Sequence, residues 1–272
     1  MSSRGLPRTC CLIRQYYGVP VQPEERDQPQ AGTADGPQWR FEMTVELVKA
    51  NAADSDVIWA ARVSTAGEQS LAARDEDPAR SKGLINFLMR ERHGTPFEHN
   101  SMTFLVQAPI FVFREFMRHR IGWSYNEASG RYKELEPVFY LPALERALVQ
   151  EGKPGHYVFV PGTPAQHDTV IAATQRACTA AYAAYQEMLA AGVAREVARG
   201  VLPVATYSAM YATCNARSLM AFLSLRTRRE GSRFPSYPQR EIEMVAEAME
   251  AHFARLMPLV YAAFDANGRV SP

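Results

Sequence analysis

Residues 118–132 read Arg118-His119-Arg120-Ile121-Gly122-Trp123-Ser124-Tyr125-Asn126-Glu127-Ala128-Ser129-Gly130-Arg131-Tyr132, with three arginines and a histidine set among small polar residues. Guanidinium forks grip phosphate bidentately and stay charged at any cellular pH, whereas lysine would suffice for solubility alone. The stretch reads as the seat of a polyanionic ligand. A solvated basic turn, with Glu127 offsetting part of the charge, is the competing reading from composition alone.

Outward from this stretch the apolar spacing sets the elements. Ile110, Phe113 and Met117 fall at i, i+3 and i+7 after Pro109, which predicts a helix carrying Arg114 and Arg118 one turn apart on its other face. Before it, Met102, Phe104 and Val106 alternate as a strand closed by Pro109. Phe41, Met43, Val45 and Leu47 alternate with Glu42, Thr44 and Glu46 as a half-buried strand. Ser81 precedes Leu84, Phe87 and Leu88 at helical spacing and Gly94 follows, predicting a short capped helix with Arg90, Arg92 and His93 at its end.

Downstream, residues 138–140 and 157–160 read as short β runs separated by a polar Gly- and Pro-bearing stretch at 150–155. An Ala-rich helix spans about 164–191, with Tyr182, Tyr185 and Leu189 on one face, and ends at Gly192. Val193, Val197 and Val201 predict a second helical stripe beside Arg195 and Arg199, interrupted by Pro203. Asn215 reads as the N-cap of a helix whose buried stripe is Leu219, Phe222 and Leu223 and whose last turn holds Arg226. Ile242, Val245, Ala246, Met249 and Phe253 mark the final helix, and residues 227–238 form a basic loop between the two. The order of elements predicts one α/β domain.

The 272 residues are 47% hydrophobic, 10% aromatic and 22% charged, with Lys+Arg 30 against Asp+Glu 29 and a net charge of +1. That composition excludes a wholly disordered chain, and a neutral balance supplies no global field for nucleic acid or an anionic membrane. Cys10, Cys11, Cys178 and Cys214 form no CxxC pair and suggest no zinc site, so no metal is expected and the thiols read as reduced and structural. The first residues lack the apolar run of a signal peptide and no stretch is long enough to span a membrane, so a cytoplasmic protein is expected. Residues 1–39, with Pro7, Pro20, Pro23, Pro29 and Pro37, read as a Pro-rich extension ahead of a domain spanning 40–272.

The 118–132 stretch resembles the signature of flavin-dependent thymidylate synthases, an Arg-His-Arg triplet followed by a spacer and a Ser-x-Arg-Tyr end. Five further blocks are similar to that family in the same order. They are Ala60-Ala61-Arg62-Val63-Ser64, His93-Gly94-Thr95-Pro96-Phe97-Glu98-His99, Pro109-Ile110-Phe111, Arg195-Glu196-Val197-Ala198-Arg199 and Asn215-Ala216-Arg217-Ser218-Leu219-Met220, with Leu225-Arg226 after them. The resemblance covers about residues 40–257 and displaces the basic-turn reading. It implies the family's α+β fold, a central, mostly antiparallel sheet flanked by helices.

The resemblance also implies reductive methylation at C5 of a uridine nucleotide, with methylene-tetrahydrofolate giving the carbon, FAD carrying reducing power and NADPH reducing the flavin. Such enzymes lack a cysteine nucleophile, so the pyrimidine is activated by an arginine that stabilises charge developing on the base, and Arg226 matches that position. The nucleotide falls to Glu115, Arg118, Ser129, Gly130, Arg131, Arg199 and Arg226. Ser129 resembles a residue better read as a hydrogen-bonding substrate ligand than as a nucleophile. The flavin falls to Ser64, Thr95, Glu98, Arg118, His119, Arg120, Ile121, Asn126, Glu127, Asn215, Arg217 and Leu225, with His93 and Tyr132 beside the flavin and folate rings. In the family these residues come from more than one subunit, which implies a homotetramer with shared sites. Neither nucleic acid nor a membrane is implied as partner.

Each residue has a plainer reading alone: His93 on the last carbonyls of a helix, His99 as a core histidine, Glu98 paired to an arginine, Arg195 and Arg217 on solvated faces. The chain also departs from the family pattern. The spacer from Ile121 to Ala128 is one residue longer than usual, with Trp123 the added bulk. Glu115 stands for a common Gln, Ala221 for a common Asn, and the 227–237 loop is long, leaving Tyr237 near an expected His. These changes suggest altered substrate handling, with UMP accepted alongside or instead of dUMP; admitting a 2′-hydroxyl turns on a balance of about 1 to 3 kcal/mol. A strict dUMP thymidylate synthase, a flavin NADPH oxidase without methyl transfer, and a nucleotide- or RNA-binding protein remain as alternatives.

Overall fold

Met102, Phe104, Val106 and Ala108 are buried while Ser101, Thr103, Leu105 and Gln107 between them are not, so one strand, Ser101–Pro109, has a single core face. It is the third of eight strands in the computed structural model, which describes residues 36–75, 77–153 and 156–272. In chain order these are β1 (Gln38–Arg40), β2 (Thr44–Asn51), β3 (Ser101–Pro109), β4 (Trp123–Glu127), β5 (Val138–Tyr140), β6 (Val149–Lys153), β7 (His156–Val160) and β8 (Tyr207–Cys214). The helices are α1 (Asp54–Ala66), α2 (Pro78–Arg90), α3 (Ile110–Phe116), α4 (Pro164–Ala190), α5 (Arg195–Ala198), α6 (Ala216–Arg226), α7 (Arg240–Leu256) and α8 (Pro258–Ala266).

Four strands form the central antiparallel sheet in the order β2-β3-β8-β4. Buried residues of β3 and β8 share one hydrophobic core with Ile85 and Met89 of α2, Leu219 and Phe222 of α6, Val245 and Phe253 of α7 and Phe264 of α8. A parallel pair β1-β5 and the β6-β7 hairpin complete the strands. The α/β class and the mostly antiparallel sheet expected above are both present. None of the described helices is long and apolar enough to cross a membrane.

Several boundaries differ from the sequence reading. Residues 1–35 of the expected extension lie outside the described residues, and Gln38 and Trp39, counted with that extension, pair in β1 with β5. The first alternating strand begins at Thr44, and Phe41 is largely exposed. Ser81 is inside α2, which starts at Pro78 behind Asp77 because proline is well placed in a first helical turn. Arg92 and His93 lie beyond its last residue, Arg90; His93 N–H closes back on the Leu88 carbonyl at 2.9 Å with Arg92 at φ 64°. The stretch expected to separate two β runs is itself β6 over Val149–Lys153.

α3 is shorter than its apolar spacing implied. Its buried face is Val112, Phe113 and Phe116, and Met117 is 40% exposed. His119 N–H donates to the Phe116 carbonyl at 2.8 Å, and the Tyr125 hydroxyl reaches the Phe116 and His119 carbonyls at 2.9 and 2.8 Å, so the chain turns there. Arg114 is on α3 as expected, but Arg118 sits in the turn past the helix end rather than on its face. The valine stripe also fails: α5 buries Ala198, while Val197 and Val201 are exposed.

Two caps fix helix ends, one from a neighbouring residue and one from a distant element. Asn215 caps α6 as expected, its Oδ1 accepting from Ser218 N–H at 2.8 Å. α7 is followed by α8, whose first free N–H groups, on Leu259 and Val260, donate to Asp54 at 3.0 and 2.9 Å. Asp54 opens α1 and caps another helix across the core.

Candidate active site

Arg226 ends α6 with its guanidinium turned toward the segment after α3. Its Nη1 meets Glu115 Oε2 at 2.5 Å, its Nη2 meets the Glu115 carbonyl at 3.3 Å, and its Nε donates to His119 Nε2 at 3.0 Å. An Nε2 that accepts requires the neutral ring with its proton on Nδ1. Burial, and then the charges of Arg226 and Arg118, lower the His119 pKa from 6.5 to about 4, so the neutral form prevails at cellular pH. The Phe222 ring packs edge-on against His119 at 4.9 Å. Of the five guanidinium N–H groups three are engaged and two remain. A cavity of about 590 Å³ adjoins them, lined by Glu115, Leu225, Arg226, Phe234 and Tyr237 among others.

A second group forms where β4 ends. Ala128 N–H donates to the Ala209 carbonyl at 2.8 Å, which fixes the start of the loop that carries Ser129, Gly130 and Arg131. Gly130 is buried, and a Cβ there would stand 2.9 Å from Leu135 Cδ1 and 3.3 Å from Arg199 Cδ, so a larger residue would push both side chains aside. Ser129 Oγ accepts from Arg131 N–H at 3.3 Å. Arg131 pairs with Glu196 of α5 at 2.9 Å, both side chains 54% exposed, an exchangeable contact. Burial raises the Glu127 carboxyl, with the Arg199 charge opposing.

A third group gathers at the opposite end of α6. Asn100 accepts from Ala216 N–H at 2.8 Å and donates to the Phe97 carbonyl at 3.1 Å, which fastens the 95–98 turn to the helix N-terminus. Arg217 Nη1 meets Glu98 at 2.6 Å and its Nε donates to the Pro272 carbonyl at 2.7 Å. The guanidinium lies over Gly94, where any Cβ would collide with it. Ser218 Oγ donates to the Ile121 carbonyl at 2.9 Å beside Gly122, at φ 70°.

α6 thus links the first and third groups, which lie along its length. Thr95 and Asn126 are exposed, Ile121 is 89% exposed, and Leu225 and Tyr132 are exposed as well. Arg118 and Arg120 are exposed and have no side-chain partner among the described residues. His93 lies edge-on to Phe87 at 5.8 Å. Ser64 stays apart on α1, its hydroxyl on the Ala61 carbonyl at 3.0 Å. Sequence reading missed Asn100, Ser218 and Phe222 as positioning groups; a polar residue next to the 93–99 block was the available signal for Asn100.

Trp123, expected as loop bulk beside the ligands, is half-buried instead. It stacks on Tyr125 at 5.7 Å and packs against Phe222 at 5.4 Å and Phe116 at 6.1 Å. Burial raises the Cys178 and Cys214 thiols, so neither is poised as a nucleophile.

The sequence profile described as Thymidylate synthase complementing protein matches residues 46–259. A flavin-dependent thymidylate synthase of Streptomyces avermitilis is 70% identical over 236 residues, covering 87% of this chain and 96% of the relative. One from Tropheryma whipplei is 58% identical over 236 residues, covering 87% and 98%. A crystal structure of the UMP/dUMP methylase PolB from Streptomyces cacaoi, bound with 5-Br UMP, superposes with a TM-score of 0.81 at 54% identity, covering 87% of this chain and 100% of that one. A second, bound with 5-Br dUMP, superposes equally at 56% identity, covering 86% and 100%. On this similarity and the agreement of fold, the chain belongs to the flavin-dependent thymidylate synthase family.

Proposed function

We propose that the chain catalyses flavin-dependent reductive methylation at C5 of a uridine 5′-monophosphate, dUMP and UMP both, with methylene-tetrahydrofolate as carbon donor and NADPH as reductant. The observation that carries this reading is the clamped Arg226: three fixed contacts aim a permanent cation at one point and leave two N–H groups free. A base whose C2 or C4 oxygen meets those donors gains stabilisation as negative charge spreads over it and C5 becomes nucleophilic. The buried thiols fit activation by polarisation.

The phosphate is assigned to the second group. Arg131 exchanges its exposed contact with Glu196 for the dianion, Arg199 supplies a second fork, and Gly130 brings backbone close to them. Ser129 donates a hydrogen bond to the nucleotide. FAD suits the residues around the 118–122 turn: Arg118 and Arg120 offer uncommitted cations to a diphosphate, and exposed Ile121 and Leu225 offer apolar surface to a ring. Bound there, a flavin would supply the reducing equivalents that the methylation needs. Glu98, Asn215 and Arg217 hold the turns that border it, and His119 keeps Arg226 aligned.

Exposed Ile121, Tyr132, Val197, Tyr211 and Leu225 support a shared-site homotetramer, since lone subunits seldom leave so much apolar surface beside a ligand site. The 70% identity to Streptomyces relatives named thymidylate synthases favours a second reading, dUMP alone as substrate. The test is C5-methyl product formation from dUMP and UMP with FAD, NADPH and methylene-tetrahydrofolate present. Product from both supports the proposal, product from dUMP alone the second reading, and NADPH consumption without product refutes both.

A further inference from the structure

The loop at residues 227–238 leaves α6 at Arg226 and separates two cavities. One is the cavity of about 590 Å³ beside Glu115 and Arg226; the other, of about 460 Å³, opens between the β6-β7 hairpin, residues 143–147 and the start of α7. Tyr237 and Pro238 line both, so the two are neighbours across one wall.

The second cavity is walled by Phe41, Tyr140, Phe159, Tyr237 and Met244 among others, and three arginines border it. Arg146 is committed to buried Glu241 at 2.8 Å, and Arg240 to Glu243 and Glu247 at 2.8 and 3.0 Å. Arg228 differs. Its guanidinium stands 5.9 Å from the Tyr237 ring centre and has no carboxylate partner among the described residues. The chain holds this residue by its backbone instead, Arg228 N–H donating to Glu243 at 2.9 Å, so the whole fork is open to a ligand.

An aromatic slot with one uncommitted guanidinium selects a planar ring that carries a carboxylate. Arg146 stands 5.5 Å from the Phe159 ring centre, so the ligand ring packs on the parts of Phe159 and Tyr237 that the two guanidinia leave open, and the carboxylate takes the Arg228 fork bidentately. The volume lies within the roughly 300–1,000 Å³ usual for small-molecule sites. We infer that this cavity holds the p-aminobenzoyl-glutamate end of the one-carbon donor, whose reactive end reaches past Tyr237 into the cavity beside Arg226. The inference rests on methylene-tetrahydrofolate being the donor, as proposed above. Glu145 also borders the cavity and weakens its hold on an anion, so Glu145→Gln tightens binding.

Calorimetric titration of the flavin-loaded protein with p-aminobenzoyl-glutamate tests the inference. Saturable binding is expected, weakened tenfold or more by Arg228→Gln and by Phe159→Ala, with free glutamate binding at least tenfold more weakly than the aryl probe. KM for methylene-tetrahydrofolate rises by a similar factor in both variants, and the loss falls on KM rather than kcat. No binding by the wild type, unchanged affinity in both variants, or equal affinity for glutamate alone overturns it. A wild type that binds the probe yet makes no methyl product overturns instead the reading on which the inference rests, and with it the identity of the ligand.

Discussion

Arg226 Nε donates to His119 Nε2 at 3.0 Å, so a residue of the Arg-His-Arg triplet orients the arginine that ends α6, over 100 positions later. With Glu115 on Nη1 the guanidinium is fixed on two sides. Replacing Arg226 by Ala removes the donors that face the base, and kcat for methylation is expected to fall about 10²–10³-fold, the usual effect of deleting one transition-state donor. Arg226→Lys recovers little of it, because an ammonium cannot meet Glu115 and His119 together in the geometry of a planar fork. Steady-state rates at saturating nucleotide measure both.

His119 carries a pH signature of its own. Its folded-state pKa of about 4 lies below the ordinary 6.5, so as pH falls the unfolded chain binds the proton first. The group therefore lowers stability progressively between pH 6.5 and about 4 and contributes no pH dependence above 7. An NMR titration should find the His119 ring still neutral at pH 5.5. A midpoint near 6.5 would mean that the clamp on Arg226 does not form in solution.

Gly122 is committed by conformation and by space. At φ 70° its backbone disfavours any L side chain, and a Cβ would overlap the Ser218 hydroxyl. Gly122→Ala is expected to cost about 1–3 kcal/mol, read as a lowered thermal midpoint. Ser218→Gly in the same chain restores part of the loss by removing the overlap.

Trp123 supports the turn from beneath. In its stack with Tyr125, Phe116 and Phe222, Trp123→Ala costs about 2 kcal/mol, less than a fully buried tryptophan would. Trp123→Phe keeps the stack and is expected to leave the ratio of kcat/KM for UMP and dUMP within about twofold of the wild type, an effect below about 0.5 kcal/mol. A larger change would return the specificity role to this residue.

Where one face of an element is buried, its sequence pattern is plain. β3 alternates strictly, α7 repeats Ile242, Val245, Met249 and Phe253 on its core face, and Asn215 announces α6. β8 was invisible because Ala209 and Ala212 and the flanking serine, threonine and tyrosine blur the alternation of a strand paired on both sides. α1 was missed because Ala53, a poor capping residue, precedes it; the side chain of Asp56 bonds back to the Ala53 N–H. β4 hid inside the ligand motif, its Trp123 and Tyr125 facing the core while Ser124 and Asn126 face out.

The candidate site divides along the same physical line. Arg226, Arg131 and Arg217 were singled out through the motifs that resemble the family's, whereas the Arg131 contact with Glu196 and the Ser218 contact with the Ile121 carbonyl emerge only when distant elements meet. Glu115 was legible as a departure at its position, but its contact with Arg226 depends on where α3 stops and α6 ends.

The central claim is that this chain methylates C5 of a uridine monophosphate. The most direct measurement is kcat/KM for methyl product from dUMP and from UMP, side by side, with FAD, NADPH and methylene-tetrahydrofolate. The account predicts C5-methylated product from both nucleotides. NADPH oxidation with no methyl product from either would contradict it.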